Sequence, residues 1–264
     1  MVRIRALRQA QGPDRERGAV WSIAPRSASA PRIRVLRRAQ GPDPGENGRM
    51  TRRLALLLGL LGVGVALATA VVLATAPHLI VALDDAWNLE MVEWRNPVLT
   101  GSALVMNVLG GGWVATILTP LLVAALAWIA RGWRGALFSL IVFLASAGLV
   151  QLVKKALGRD RPQDLLIASD FGSFPSGHTA HAATFAVVLW LLFPTLWVAI
   201  GGAVWTMAMG FSRTVLSVHW FSDTVGGALI GAGAALLVAA VLWRWVWLPA
   251  ELEAPGGRSA DPPR

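Results

Sequence analysis

The chain contains six uncharged, largely apolar runs, most of them long enough to cross a lipid bilayer as a helix. A bilayer core of about 30 Å is spanned by roughly 20 residues of α-helix. The chain is 55% hydrophobic and 15% charged, whereas soluble proteins average about 25% charged residues, so buried helices in a large soluble core are the weaker interpretation. We therefore predict an all-α, polytopic membrane protein with six transmembrane helices. The six runs are residues 54–76, 113–130, 136–153, 179–193, 196–211 and, approximately, 224–243.

The distribution of basic residues predicts how these helices are oriented. With the N-terminus in the cytoplasm, the predicted inner segments hold 18 of the 24 lysine and arginine residues, which is the bias that inner loops show. We therefore expect a cell-membrane protein with both termini in the cytoplasm. Its expected parts are a basic tail at residues 1–53, a six-helix domain at 54–248 and a disordered tail at 249–264.

The N-terminal tail accounts for the charge of the chain. It holds thirteen basic and four acidic residues, a net of +9 that equals the net charge of the whole sequence. Residues 3–14 recur as residues 32–43 with ten of twelve positions identical, but each copy has too little apolar surface to build a core. We predict a disordered arm, with binding to the anionic inner leaflet as an alternative, and no nucleic-acid partner. Translation from Met50 is a further alternative, and cleavage after the first apolar run is disfavoured because that run exceeds the length usual for a signal peptide.

Three polar stretches fall on the outer side of the predicted topology. The chain has no cysteine, which excludes thiol catalysis and disulfides. The stretches also lack the carboxylate or histidine clusters that hold metals, so we predict a site without metal or other cofactor. The stretches are Lys154-x6-Arg161-Pro162 with Arg159 inside it, Pro175-Ser176-Gly177-His178, and Ser212-Arg213-x5-His219-x3-Asp223.

These stretches contain the residue types that bind a phosphate group. Arg161 and Arg213 can bind phosphate oxygens through two parallel hydrogen bonds, and Lys154 adds a point charge. Ser176 is a preferred helix N-cap and Gly177 lets the backbone approach a ligand. The helix that begins there would direct its amides and positive dipole end at an anion.

The same stretches also contain residues that can act as a nucleophile and as a general acid in phosphoryl transfer. His219 and Asp223 are four residues apart and share one face if the last helix begins there. A carboxylate next to an imidazole fixes its tautomer and stabilises its protonated form, which leaves the other ring nitrogen able to attack phosphorus. His178 is placed on another helix and could protonate the leaving oxygen.

The three motifs, in this order and spacing, resemble the signature of the PAP2 (type 2 phosphatidic acid phosphatase) superfamily, and the resemblance covers about residues 54–248. It implies a PAP2/haloperoxidase-like helical bundle in which His219 is the nucleophile that forms a phosphohistidine, Asp223 orients it, and His178 is the acid and later the base. Arg159 is a further candidate for binding substrate. The phosphate-binding residues that the resemblance implies are Lys154, Arg161, Ser176, Gly177 and Arg213.

Several other polar residues receive no catalytic role. His181 lies one turn beyond His178 and is expected behind the site or facing the lipid headgroups. Residues 83–112 resemble the first outer loop of the family, and we expect its acidic residues to be solvated. The loop acids without a role are Asp164 and Asp170, and the acidic residues of the first outer loop are Asp84, Asp85, Glu90 and Glu93.

The resulting hypothesis is an integral-membrane lipid phosphatase that works without metal at the outer leaflet, with a membrane lipid phosphate and the bilayer as partners. Undecaprenyl diphosphate is the preferred substrate because an outward-facing site suits a carrier lipid released in wall synthesis; phosphatidic acid and phosphatidylglycerol phosphate come next. One alternative is an anion-selective multipass transporter. The other is vanadate-dependent oxidation, which is disfavoured because the haloperoxidases that the resemblance includes are soluble. The sequence does not predict an oligomeric state.

Overall fold

The computed structural model describes residues 51–247, so the N-terminal repeat, residues 1–50 of the predicted N-terminal tail and the predicted C-terminal tail lie outside this part of the chain. Arg52 and Arg53, the end of the predicted N-terminal tail, are the first residues of the first helix. The described residues are helical and contain no strand, which confirms the prediction of an all-α fold. A π-helical turn, Val114–Leu118, leads into the fourth helix. The helices are α1 (Arg52–Thr75), α2 (His78–Trp94), α3 (Pro97–Leu109), α4 (Thr119–Leu157), α5 (Gly177–Leu192), α6 (Leu196–Val215) and α7 (Phe221–Trp247).

The segment expected to form the first outer loop folds instead as α2 and α3. Pro77, which cannot continue α1, separates it from α2. The Asn96 side chain accepts a hydrogen bond from Leu99 N at 3.0 Å, and Pro97 occupies the first position of α3, where its missing N–H costs nothing. The segment that resembles the first outer loop of the family is therefore helical, and a local capping signal at Asn96 starts its second helix.

Helix α4 is interrupted where the sequence predicts a turn between two membrane spans. Gly132 has φ 69° and ψ −165°, which is not helical. Val123 and Ala127, before this break, belong to the same buried cluster as Phe138 and Val142, after it. The two halves of α4 therefore pack side by side, with the chain reversing at Gly132.

Among residues 51–247, three helical segments are long and apolar enough to cross a membrane by length and composition. They are Arg52–Thr75, Val114–Leu157 and Phe221–Trp247, and the shorter apolar helices are Pro97–Leu109 and Gly177–Leu192. The count of six spans predicted from the sequence is thus not reproduced by this criterion, which treats Val114–Leu157 as one segment.

The last helix lies inside the bundle, as its small residues predict. In the most apolar 18-residue stretch of α7, 56% of the residues are buried, whereas 17% are buried in the corresponding stretch of α1. A Cβ on Gly227 would collide with the backbone carbonyl of Ser176, and one on Gly231 with that of Ala180. These glycines let α7 press directly against the beginning of α5, which fixes one wall of the site described next.

Candidate active site

The three polar stretches meet at one end of the bundle. Gly158, in the left-handed conformation at φ 59°, ends α4 as glycine does after many helices, and Ser176 caps the start of α5. Between them and the α6–α7 junction is a cavity of about 270 Å³. Its lining includes five of the predicted site residues and two that were not predicted: Lys154, Gly177, His178, Arg213 and His219, with Asn107 and Asp170.

His219 and Asp223 lie close together, but α7 begins at Phe221, so His219 precedes the helix and the two do not share a helix face as the spacing predicts. Asp223 Oδ2 lies 3.4 Å from His219 Nδ1, a close approach whose geometry falls short of a hydrogen bond. The same oxygen accepts a hydrogen bond from Trp220 N at 2.9 Å, an interaction that an acid at the third helical position makes with a helix start. Burial lowers the pKa of the His219 imidazole from its ordinary value of 6.5, an effect that Asp223 partly offsets. His219 is therefore neutral near neutral pH.

Arg161 lies beside the other nitrogen of His219, with Nη1 3.5 Å from His219 Nε2. Its Nη1 donates to the carbonyl oxygen of Val218, and its Nη2 donates to Asp170 Oδ1 at 2.7 Å. The same Asp170 oxygen is 3.5 Å from Lys154 Nζ. The Asp170 carboxylate, which received no role from the sequence, thus lies between two of the cations predicted to bind phosphate.

Arg213 is completely buried and is held by α3. Its Nη1 donates to Asn107 Oδ1 at 2.7 Å and its Nη2 to the carbonyl oxygen of Ala103 at 3.2 Å. A buried guanidinium needs such partners to offset the cost of desolvation. Asn107 therefore positions one of the predicted phosphate-binding groups.

His178 also contacts Asn107, through its Nε2, which is 3.3 Å from the backbone carbonyl oxygen of that residue. Because a carbonyl only accepts hydrogen bonds, this contact makes Nε2 the protonated nitrogen. A Cβ on Gly111 would lie 2.5 Å from His178 Nε2, so the glycine turn between α3 and α4 packs directly on the imidazole.

Ser176 is the N-cap of α5, as predicted. It is fully buried, and its Oγ accepts from Thr179 Oγ1 at 3.1 Å and, at 3.5 Å, from Thr179 N. Its backbone N donates to the carbonyl oxygen of Asp223 at 2.9 Å. Ser176 is not among the residues that line the cavity; it connects the start of α5 to the start of α7 beneath it.

Arg159, like Arg161, is not among the residues that line the cavity, and its assignment to substrate stays a prediction. Its Nη1 donates to Asp223 Oδ1 at 2.7 Å and its Nη2 to Asp84 Oδ2 at 2.7 Å. Asp84 also accepts from Ser222 N at 2.8 Å and Ser222 Oγ at 2.6 Å. Asp84 is only 1% exposed, which corrects the expectation that it is solvated. Arg159 therefore joins two buried carboxylates behind the His219–Asp223 pair.

A second cavity, of about 440 Å³, adjoins the first at Gln151, Gly177 and His178. It lies between the two halves of α4 and the first turns of α5, and its wall is largely apolar. His181 lines it with its ring centroid 5.1 Å from that of Phe143, and its Nε2 has no hydrogen-bond partner among the described residues. The polar site thus continues into a space suited to a hydrocarbon chain.

The sequence analysis did not predict Asn107 and Asp84 as part of the site, and of these two residues only Asn107 carried a signal in the sequence. Asn107 is an amide within an apolar helix, and polar groups there are by default candidates for function. Asp84 gave no comparable signal, since its neighbours Asp85 and Glu90 are exposed and the sequence does not distinguish them.

Gly111→Ala is expected to lower kcat for the chemistry of this site by about tenfold or more, because a displacement of a catalytic group by about 1 Å costs up to 10²-fold. The new Cβ would meet His178 Nε2 at 2.5 Å and the carbonyl oxygen of Asn107 at 2.9 Å. Steady-state kinetics of the purified variant provide the measurement. Gly101→Ala, on α3 with open space around it, is the matched control, and equal kcat for both variants would contradict the prediction.

The fold and the site define a class of helical bundle in which paired histidines and buried cations face one cavity, and the comparisons with known proteins agree. A sequence model of the PAP2 superfamily matches residues 135–247. Phosphatidylglycerophosphatase B of Bacillus subtilis is 32% identical over 164 residues, which are 57% of this chain and 76% of that protein. The crystal structure of a transmembrane PAP2-type phosphatidylglycerolphosphate phosphatase from Bacillus subtilis has a TM-score of 0.61 at 27% identity and covers 70% of this chain and 96% of its own.

The chain belongs to the PAP2 superfamily. Another relative, a lipid A 1-phosphatase of Rhizobium johnstonii, is 38% identical over 125 residues, or 42% of this chain. The chain spans about half of that relative, 49% of its length.

Proposed function

We propose that this protein is a membrane phosphatase that hydrolyses a lipid phosphate through a phosphohistidine intermediate at His219. The observation that carries the proposal is the position of His219 Nε2, which is 3.5 Å from Arg161 Nη1 in a cavity shared with Lys154, Arg213 and His178. A nucleophile, an acid and cations thus surround one space large enough for a phosphoryl group.

In the first step of the proposed reaction, the lone pair of His219 Nε2 attacks phosphorus. The bond between phosphorus and the leaving oxygen breaks, and His178 in its doubly protonated, imidazolium form gives a proton to that oxygen, so the leaving group departs (an alcohol from a monoester, a phosphate from a diphosphate) and His178 is left neutral. Asp223 stabilises the positive charge that develops on the His219 ring. Lys154, Arg161 and Arg213 stabilise the negative charge on the phosphoryl oxygens, together with the amides at the start of α5.

In the second step, water attacks the phosphorus of the phosphohistidine. His178, which lost its proton in the first step, takes one from the water, and the phosphorus–nitrogen bond breaks. His219 returns to its neutral form and inorganic phosphate leaves. Asp170 accepts hydrogen bonds from Arg161 and Lys154, so the phosphoryl group must displace it from these cations.

The proposed topology has six membrane spans, with α4 supplying two of them. A straight helix of 44 residues would measure about 66 Å, roughly twice the bilayer core, and the break at Gly132 divides Val114–Leu157 into two halves that pack together. The charge bias favours a cytoplasmic position for residues 1–53 and 249–264, and with these residues inside, the proposed site faces the outer side.

The proposed substrate is a lipid because the second cavity, apolar and about 440 Å³ in volume, adjoins the cationic one at His178. The relatives named above are a phosphatidylglycerophosphatase and a lipid A 1-phosphatase. The candidates are therefore lipid phosphomonoesters such as phosphatidic acid and phosphatidylglycerol phosphate, and undecaprenyl diphosphate, the preference from the sequence.

The test is release of inorganic phosphate from phosphatidic acid and undecaprenyl diphosphate by the purified protein in detergent with EDTA. We expect turnover to persist in EDTA, since the proposed reaction uses only side chains. Loss of all turnover in EDTA, restored by a divalent metal, would contradict the metal-free mechanism. Anion flux through reconstituted vesicles without phosphate release would favour the transporter interpretation instead.

The acid limb that His219 contributes to kcat/KM is expected to have its midpoint below pH 6.5. The nucleophile must be neutral, and burial lowers the pKa of His219 from its ordinary value of 6.5, with Asp223 partly offsetting this effect. As pH falls through that lowered pKa, the imidazole gains a proton at the attacking nitrogen and kcat/KM decreases. The measurement is kcat/KM against pH, corrected for the separately measured ionisation of the substrate phosphate. A corrected acid limb with its midpoint above pH 6.5 would contradict the assignment.

A further inference from the structure

The turn between α6 and α7, which carries His219, contains a residue with a strained backbone. Ser217 has φ 48°, a left-handed conformation that few residues other than glycine, asparagine and aspartate adopt. It is completely buried and lies two residues before His219. Such a conformation persists only where the surrounding contacts hold it, so the contacts of Ser217 help to set the position of the proposed nucleophile.

Two side chains from α2 and its end hold the Ser217 hydroxyl. Ser217 Oγ donates to Asn88 Oδ1 at 2.7 Å and accepts from Arg95 Nη2 at 2.6 Å. Arg95 Nε donates to the carbonyl oxygen of Val215, in the same turn, at 3.0 Å. The buried hydroxyl thus has a partner both as donor and as acceptor, and these hydrogen bonds connect the turn to α2.

The same two side chains also hold the segment that follows Arg161. Asn88 Nδ2 donates to Asp164 Oδ2 at 3.1 Å, and Arg95 Nη2 donates to the backbone carbonyl oxygen of Asp164 at 3.0 Å. Asp164, a loop acid without a role in the sequence analysis, is therefore an anchor for its segment. Asn88 and Arg95 join the segment after Arg161 to the turn before His219.

The two joined segments meet at the proposed catalytic groups. Leu166 N donates to the carbonyl oxygen of Leu216 at 3.1 Å, and Arg161 Nη1 donates to the carbonyl oxygen of Val218. The same Arg161 nitrogen lies 3.5 Å from His219 Nε2. In the proposed reaction Arg161 binds the phosphoryl group while His219 attacks it, so a change in their separation would misalign the attack.

We propose that Asn88 and Arg95 are positioning residues, which set the separation of Arg161 from His219 by holding Ser217 and Asp164. Neither residue is among those that line the cationic cavity, so both act through other side chains and not on the substrate. This inference rests on the proposed phosphatase function and adds to it two residues that lie outside the three motifs.

Asn88→Ala is expected to lower kcat for phosphatidic acid by about tenfold, because small displacements of catalytic groups are costly. KM should change by less than about threefold, since the alignment matters mainly in the transition state. Steady-state kinetics in detergent provide the measurement, and thermal unfolding checks the fold. Glu93→Ala, at an exposed position of α2, is the control and should keep the wild-type kcat.

The decisive comparison repeats Asn88→Ala in an Arg161→Lys background. Lysine keeps the positive charge but lacks the planar guanidinium, so the separation that Asn88 sets no longer joins the same atoms. Because residues that act together have non-additive effects, Asn88→Ala should then lower kcat by less than about twofold. An equal loss of kcat in both backgrounds would show that Asn88 acts independently of Arg161 and would overturn the inference.

Ser217→Gly tests the same link if Asn88→Ala does not fold. Glycine adopts the left-handed conformation freely, so this variant removes the two hydroxyl hydrogen bonds without adding strain. We expect kcat to fall by about fivefold, in the range for a lost hydrogen bond, and by less than about twofold with Arg161→Lys. Wild-type kcat in either folded variant would overturn the inference. If the wild-type protein releases phosphate from none of the lipid phosphates tested, the proposed function fails, and this inference fails with it.

Discussion

His219→Ala is expected to lower kcat for lipid phosphate hydrolysis by about 10⁴-fold or more, a loss comparable to removal of a nucleophile in other covalent mechanisms. Among the described histidines, His219 combines a carboxylate at 3.4 Å with a position lining the cationic cavity. Without the imidazole, phosphorus has no nucleophile except water, and the cations that remain stabilise only the phosphoryl oxygens. Single-turnover phosphate release from phosphatidic acid provides the measurement.

His78→Ala is the matched control for this substitution. His78 is exposed at the start of α2, away from the site, so this variant should keep the wild-type kcat. Because His219 is almost fully buried, the thermal unfolding of His219→Ala must also be compared with that of the wild type. A folded His219→Ala protein with near wild-type kcat would refute its role as nucleophile.

Asp84→Asn is expected to lower kcat by about 10- to 100-fold, the range seen when a residue that orients a functional group is removed. Asp84 and Asp223 share the Arg159 guanidinium, each at 2.7 Å. Without the Asp84 charge, Asp223 alone neutralises the Arg159 guanidinium. The Asp223 carboxylate then stabilises the positive charge that develops on His219 less strongly. The effect should therefore appear in kcat, with KM for phosphatidic acid changed by less than about threefold.

Asp85→Asn tests whether this effect belongs to the buried carboxylate. Asp85 is the exposed neighbour of Asp84 on α2, and its substitution should leave kcat unchanged. Loss of a buried partner can also destabilise a protein by about 3–5 kcal/mol, so thermal unfolding is measured for both variants. A folded Asp84→Asn protein with unchanged kcat and a lowered unfolding temperature would assign Asp84 to stability alone.

The helical architecture and the three motifs could be predicted from sequence because their signals are local. Apolar runs define helices by length, and the cap at Ser176 operates within one turn. Gly132 lies in the predicted turn between two runs, and its non-helical backbone is found at that position. These features depend on neighbouring residues and hold in any tertiary context.

The carboxylate network could not be predicted because it depends on contacts between distant segments. Asp84 reaches Ser222 across 138 residues and Arg159 across 75. It comes from α2, a segment whose acids resemble an ordinary solvated face. Only the packing of α2 against the start of α7 shows that Asp84 is buried.

Arg159 and Arg161 illustrate the same limit within a single motif. They are two residues apart, after the left-handed Gly158 that ends α4, in a segment without helical or strand periodicity. Arg161 turns towards His219, whereas Arg159 turns towards Asp84 and Asp223. The motif identifies the basic residues of such a segment, but the sequence does not predict which of their side chains points towards His219.

Covalent phosphorylation of His219 is tested most directly by rapid acid-free quenching of the purified protein during a single turnover of a lipid phosphate labelled with ³²P at the phosphoryl group. The proposed mechanism predicts a transient label that is stable to base and labile to acid, located by mass spectrometry in the peptide that contains His219 and absent from His219→Ala. Turnover of the substrate with no labelled protein, or with the label on a different residue, would contradict it.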